Sequence, residues 1–526
     1  MKTIVTAKTM DHSTGIAQIR HISIDDGWIT ETFNQLPPNH LSEYKHIDYS
    51  NQYIYPGFND THMHLVGYGM YLSQLMLDGT ESIIDLQKSL QEYAQHHTKG
   101  IIIGRNWNQD SFSEKRLPSR YDLDAICPDI PVVLFRVCGH IAVINSAAIK
   151  HFNLSPNSTI SGGACDVANG ELTGILRENA LSFVKRDLTL DEVESYILAA
   201  QHQLNRYGIT SVQTDDLITV PIEAHQDLIN RFLEMSESGK LSVRVYEQSQ
   251  FFTPDNFRKM IKNGYKQNAG NLFYKNGPVK ILADGSLGAR TAKLRDAYKD
   301  DPEASGILIH TESELKELMA IAYQNEVDIA IHGIGDYTIA FAIKTMDALQ
   351  KEYPSRKHRN AIVHCQIMDE PLMDAMKTSN IYALVQPVFL EYDMTIVEQR
   401  IGNKLARTSY AYKSMLNKGI KLGFGSDAPV EDPNPLRSIM YAMCRERLDG
   451  QSFFKDESIS FEQALNAFTH DAAFFSREEN IKGKLDKGYL ADFVIFEKPL
   501  ESLAPEAFLT ITPVATYVGG KCVYSR

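Results

Sequence analysis

Eight short apolar, β-prone runs punctuate the middle of the chain, and each is followed by a segment of helical character. The runs are "YIYPGFND", "GITSVQTD" (208–215), "SVRVYEQS" (242–249), "PVKILADG" (278–285), "VDIAIHG" (327–333), "NAIVHC" (360–365), "IYALVQP" (381–387) and "IKLGFGSD" (420–427). This alternation builds parallel βαβ units, whose strands are buried on both faces and so lack a polar side. Eight of them predict an α/β fold, a (β/α)8 TIM barrel. An open doubly wound sheet is the competing topology. It is disfavoured because no GxGxxG phosphate turn follows the first run.

Two departures from the alternation define further parts. Residues 1 to about 55 and those from about 484 onward read as short β-prone stretches with weak helical periodicity, such as "TIVTAKTM" and "GYLADFVIF". They predict one β-sandwich domain built from both termini, 1–55 with 484–526, which would hold the chain ends together. The barrel is then expected over 56–483. About 150 residues separate the first two runs, far more than one crossover needs. A structureless loop of that length is improbable, so an inserted subdomain is expected at 80–190, after the first barrel strand.

Bulk properties exclude several classes. The net charge of −13 is spread along 526 residues with no basic block, which argues against nucleic acid and anionic membrane as partners. No run of about 18 apolar residues suits a membrane helix, and the N-terminus lacks a signal-peptide core. The six cysteines are scattered, with no CxxC pair, as in reduced thiols. A cytoplasmic protein acting on a small molecule is the expectation, with a homodimer left open.

The chemistry gathers at the C-terminal ends of the runs, where barrel enzymes place it. The first run leads into His62 and His64, two residues apart and so on one face of a strand. Run four holds Lys280, run five ends in His332, run six in His364 and run eight in Asp427. Singly, each has a plain structural reading: a bonded core histidine, or an aspartate capping a helix. Together, four histidines, a lysine and an aspartate at the strand ends of one barrel make a metal site. Imidazole and carboxylate suit Zn2+, and also Mn2+, Fe2+ or Co2+. A lysine buried near cations loses its proton and can take up CO2 as a carbamate, whose two oxygens can bridge two metals. Such a pair generates a hydroxide at neutral pH. Asp427 is then the general base for the attacking water and the acid for the leaving amine, with His364 or a metal polarising the carbonyl.

At this point the residues resemble a known family. "PGFNDTHMH" (56–64), "VCGHIAVINSAAI" (137–149), "TGILRENA" (173–180), "VKILADGSLGARTA" (279–292), "IHGIGDYTI" (331–339), "VHCQ" (363–366), "LGFGSDAPVEDPNP" (422–435) and "GKLDKGYLADFVIF" (483–496) resemble the amidohydrolase superfamily. More narrowly they resemble its amidohydrolase-3 or YtcJ-like branch, which is similar to N-substituted formamide deformylases. The resemblance spans nearly the whole chain. It implies the barrel with its terminal β-sandwich and insertion, the ligand set His62, His64, Lys280, His332, His364 and Asp427, two zinc ions, and a carbamate on Lys280. The implied activity is metal-dependent hydrolysis of an amide, N-formyl or N-acyl carbon–nitrogen bond that is not a peptide bond. A mononuclear deaminase, an esterase or lactonase, and a non-catalytic scaffold are the alternatives. Where relatives often carry an acid in "GxGWD", this chain has Asn108 in "GRNWNQD". His140 and Glu178 are candidate substrate contacts, against a structural histidine and a salt-bridged acid. Asp284 and Arg290 lie in a loop with two glycines, Gly285 and Gly288, that suits an active site. Trp107 lines the pocket or fills the insertion's core.

Overall fold

A computed structural model describes residues 2–11, 16–35, 44–97, 100–184, 187–354 and 357–526. The chain forms two compact units, Met1–Gly69 with Thr189–Arg526, and Met70–Leu188.

In the larger unit, strands β1 (Thr3–Asp11), β2 (Ile16–Asp25), β3 (Trp28–Phe33) and β4 (Lys45–Pro56) come from the N-terminal end, and the barrel begins with β5 (Phe58–Met63). The smaller unit supplies β6 (Leu75–Met76), β7 (Ile102–Trp107), β8 (Val132–Arg136), β9 (Ile141–Ile144), β10 (Gly163–Ala168) and β11 (Glu171–Glu178). The barrel resumes with β12 (Ile209–Thr214), β13 (Arg244–Gln250), β14 (Tyr274–Leu282), β15 (Ile329–Gly333), β16 (Ala361–His364), β17 (Tyr382–Val385) and β18 (Leu422–Phe424). The C-terminal end adds β19 (Phe493–Phe496), β20 (Ala515–Val518) and β21 (Lys521–Ser525).

Both termini build one seven-stranded sheet in the order β21-β20-β19-β4-β1-β2-β3. Alternate residues such as Val5, Ile22, Ile54, Phe493 and Ile495 bury one apolar face together. The expected first run, "YIYPGFND", straddles two elements: its first half ends β4, and its second half opens β5. The chain turns between them at Gly57, where a Cβ would lie 2.3 Å from the Thr210 side chain, so only glycine fits. The sheet is tied to the barrel by Arg244, whose Nε and Nη2 donate to the Asp492 carboxylate at 2.7 and 2.9 Å, both groups buried.

The barrel runs β5-β12-β13-β14-β15-β16-β17-β18, with every ladder parallel. All residues of β5, β12, β13, β15, β16 and β18 are buried, as strands covered on both faces require. Just beyond β18 the chain closes on β5. The Asp427 amide donates to the His62 carbonyl and the His64 amide to the Ala428 carbonyl, each at 2.8 Å. The Asp60 carboxylate accepts from the amides of Ser426 and His62 at 3.1 Å. The helices between strands are capped in sequence: Thr189 with Glu192 and Thr311 with Glu314 form reciprocal capping boxes. No helix among the described residues is long and apolar enough to cross a membrane.

The smaller unit is a six-stranded mixed sheet, β10-β11-β9-β8-β7-β6. Its core packs Trp107, Phe112, Leu86, Leu90, Leu123 and Leu134.

Candidate metal centre

Every barrel strand sends a polar side chain to one end. β5 leads to His62 and His64, β12 to Asp215, β13 holds Gln248, β14 Lys280, β15 His332, β16 His364, β17 leads to Gln386 and β18 to Asp427. These groups are buried apart from His64, which is partly covered.

The tightest cluster is His62, His64 and Asp427, whose ligand atoms lie within 4.8 Å of one another. Asp427 Oδ1 is 3.0 Å from His64 Nε2 and 3.4 Å from His62 Nε2. Two donors on a tetrahedral zinc with bonds of ~2.0–2.1 Å sit about 3.3 Å apart. The observed spacings match that edge. Lys280 Nζ is 3.4 Å from the same His62 Nε2. The His364 ring lies 5.8 Å from His62 and 4.4 Å from His332, centroid to centroid. All six expected ligands are therefore neighbours, three at one point and the other three along the adjoining strands.

The remaining nitrogen of each ring is already committed. His62 Nδ1 and His364 Nδ1 each lie 2.8 Å from a glutamine oxygen, Gln248 Oε1 and Gln386 Oε1. His64 Nδ1 contacts Asp215 Oδ1, and His332 Nε2 is 3.2 Å from the Gly285 carbonyl. An acceptor facing one ring nitrogen holds the proton there and leaves the lone pair on the other. The ligand atoms so defined are Nε2 of His62, His64 and His364, and Nδ1 of His332. Four rings, each anchored through one nitrogen and so offering the other to a cation, suit a divalent metal ion better than a packed core.

The charges agree. Burial, and then the Lys280 ammonium, push the His62 pKa down. Burial and His332 hold His364 well below the ordinary histidine range, so it is a neutral donor. Burial opposes ionisation of Asp427, but hydrogen bonds from His62 and His64 outweigh it and hold the carboxyl well below the usual range. Burial likewise opposes protonation of His64, and Asp215 and Asp427 overcome it. Asp215 stays ionised against its burial because His64 and Lys280 face it, the latter at 3.6 Å. Both His364 and Asp427 have positive φ, 72° and 60°, a backbone region disfavoured for side-chain-bearing residues. Strain of this kind persists where the surroundings over-determine it, and it gathers at functional sites.

Sequence reasoning missed three members: Asp215, Gln248 and Gln386. Each stands at or next to the end of a run that was recognised as a strand. The signal was a polar residue at every strand end, and the reading weighed only metal-ligand types. Two expected substrate contacts are corrected. Trp107 is fully buried in the insertion's core, with Nε1 donating to the Leu134 carbonyl, so it lines no pocket. Asp284 is fully buried and spent on the amides of Lys293, Ile334 and Gly335, with His332 Nε2 3.3 Å away. It positions a ligand and has no face left for substrate. The Arg290 guanidinium is engaged by Asp300. His140 and Glu178 lie exposed in the smaller unit and pair with each other at 2.9 Å. Asn108 accepts from Arg136 at 3.0 Å.

Comparison with known proteins follows this geometry. Residues 45–524 match the sequence model described as the amidohydrolase family. The chain is 29% identical over 522 residues to "Putative amidohydrolase YtcJ" of Bacillus subtilis (strain 168), covering 96% of each chain. It is 22% identical over 507 residues to the N-substituted formamide deformylase of Arthrobacter pascens, covering 91% of this chain and 90% of that one. Among solved structures, an uncharacterized metal-dependent hydrolase from Pyrococcus furiosus superposes with a TM-score of 0.79 at 27% identity, over 95% of this chain and 100% of that one.

Proposed function

The chain belongs to the amidohydrolase family, and on that premise we propose that it is a metal-dependent hydrolase of a carbon–nitrogen bond outside peptides, with an N-formyl or N-acyl amine as substrate. The observation that carries the reading is the set of four histidines, each anchored through one ring nitrogen, around Asp427 and Lys280. Similarity to the formamide deformylase supports the bond class. Zn2+ is the ion that imidazole and carboxylate donors favour.

His62, His64 and Asp427 would hold one ion. Lys280 as a carbamate, with His332 and His364, would hold a second. A bound cation supplies Lewis acidity, both to the attacking water and to the scissile carbonyl. Asp427 takes the proton as the water oxygen adds to the carbonyl carbon. It returns that proton to the nitrogen as the carbon–nitrogen bond breaks, so the amine leaves neutral. The carbonyl oxygen would be polarised by a bound cation, because His364 would have Nδ1 committed to Gln386 and Nε2 to the second ion. Gln248, Gln386 and Asp215 hold the rings, so that the donors need not reorganise during the reaction.

The test is turnover by the zinc-loaded protein of matched N-formyl amines, N-acyl amines, aminoheterocycles and esters. Preference for the formyl or acyl amines supports the reading, and preference for the esters or for deamination overturns it. The compactness of the His62–His64–Asp427 group favours a second reading, a one-metal site. Loss of one ion per chain in Lys280→Ala separates the two, because a mononuclear site does not need that lysine.

A further inference from the structure

A small cavity of about 180 Å3 opens beside the metal centre, at the same end of the barrel. It lies among the loops that follow the ligand-bearing strands. Ile334 comes two residues after His332, Gln366 two after His364, and Glu431 four after Asp427. Phe389 forms one wall and stacks on the His364 ring, with centroids 5.8 Å apart and planes tilted by 20°. The cavity therefore borders the place where the scissile bond must sit. At a volume share of ~30 Å3 per water it has room for about six waters, the size of a short side arm.

Its chemistry is one-sided. Two acids, Asp393 and Glu431, line it, and no lysine, arginine or histidine does. Asp393 is held by hydrogen bonds from Tyr410 Oη at 2.6 Å and Gln366 Nε2 at 3.2 Å, both to Oδ2. The bond to Asp393 fixes which way the Gln366 amide faces. Gln366 Oε1 is then left buried with no hydrogen-bond partner. A buried acceptor without a donor is costly, which favours a ligand that brings an N–H to it. Glu431 is half-buried, and the Arg437 guanidinium that acts on its carboxylate is itself paired with Glu391 and Asp432. Phe389 and Tyr392 complete the lining.

We propose that this cavity receives a protonated amine on the substrate, with Glu431 and Asp393 as its counter-charges and Gln366 Oε1 as an N–H acceptor. The substrate is then an N-formyl or N-acyl compound carrying a second, unacylated amino group on a short arm. Burial pushes the Asp393 carboxyl up to about 6, and burial with neighbouring Glu391 pushes Glu431 up to about 7. Arg437 opposes the rise of Glu431, but it is spent on Glu391 and Asp432. The reaction assigned to this arm rests on the proposed function; the ligand chemistry of the cavity does not.

Two experiments on the full-length, zinc-loaded protein test it. The first compares kcat/KM for N-formyl substrates that differ only in an aminoalkyl or an alkyl arm. The cationic arm is expected to be favoured by at least about tenfold, and E431Q to bring the ratio toward one. Because the ratio is taken within each protein, loss of folded enzyme cancels. Preference for the neutral arm, or an unchanged ratio in E431Q, overturns the proposal. The second measures binding of n-butylammonium and n-butanol without any turnover. Wild-type protein is expected to bind the ammonium at least about tenfold more tightly than the alcohol, and E431Q to lose the difference. Equal binding of the two by wild type overturns it. If no formamide is cleaved but butylammonium still binds selectively, the reaction class fails and the cavity's ligand stands.

Discussion

Asp215 is the residue whose replacement tests most sharply how the centre is held. It is 1% exposed, contacts His64 Nδ1 and lies 3.6 Å from the Lys280 ammonium, itself 3% exposed. Asp215→Asn keeps the volume and removes the charge. At 3.6 Å and an effective dielectric of ~20, the lost attraction to Lys280 is about 4.6 kcal/mol. Breaking a buried pair by changing one partner costs roughly 3–5 kcal/mol, the same range. A loss of roughly 3–5 kcal/mol is therefore expected for the metal-free protein. The His64 ring also loses the carboxylate that sets its tautomer, and outer-shell changes of this kind weaken metal binding by about 10–100-fold. Thermal unfolding of the metal-free protein reads the first effect, and zinc competition against a chelator reads the second. An Asn variant that matches wild type in both would refute the assignment of Asp215 as the residue orienting this centre.

Other perturbations probe the frame around it. Arg244→Ala leaves Asp492 buried and unpaired between the terminal sheet and the barrel, and is expected to cost about 3–5 kcal/mol in equilibrium unfolding; a loss under 1 kcal/mol contradicts that role. Trp107→Ala opens a cavity in the inserted unit and should cost about 3–5 kcal/mol there. Hydrogen exchange should rise across Met70–Leu188, while zinc affinity stays at the wild-type value; a selective fall in affinity contradicts its placement in the core. Glu478 is opposed by burial but held by Lys482 and Lys275, which bring its pKa down to about 2. A depressed acid adds stability above its unfolded pKa and loses it as pH falls through the folded one. The stability gap between wild type and Glu478→Gln is therefore expected to be full at pH 6 and to shrink from about pH 4.5 toward pH 2. A gap independent of pH contradicts it.

The barrel was legible because its strands are buried on both faces. An unbroken apolar run such as "NAIVHC" marks a parallel strand covered on both faces, and eight of them without a phosphate turn favoured the barrel over the doubly wound sheet. The expected ligands stood out for a related reason: imidazole, ammonium and carboxylate groups at the ends of such runs are costly to bury unless they serve a site. Gln248 and Gln386 were not, because a glutamine at a strand end looks the same whether it orients a ligand or meets water. Only the 2.8 Å contacts to His62 and His364 reveal the difference. Asp284 illustrates the opposite error. Its place in a glycine-rich loop after Lys280 suggested substrate, yet the backbone amides of nearby Lys293 and of Ile334 and Gly335 after the next strand engage its carboxylate. Trp107 shows that a large aromatic near a motif is decided by packing, which no local pattern records. The boundary between β4 and β5 was hidden because two sheets share one continuous β-prone stretch, divided only at Gly57.

The central claim is that these strand ends bind metal and that hydrolysis depends on it. Metal content per chain, followed by elemental analysis while chelated protein is reloaded with zinc, should be plotted against the rate of N-formyl amine hydrolysis. The account predicts no turnover without metal, a rise that saturates at the loaded stoichiometry, and no recovery in a His62→Ala, His64→Ala double variant. Full turnover by protein carrying no metal would contradict it.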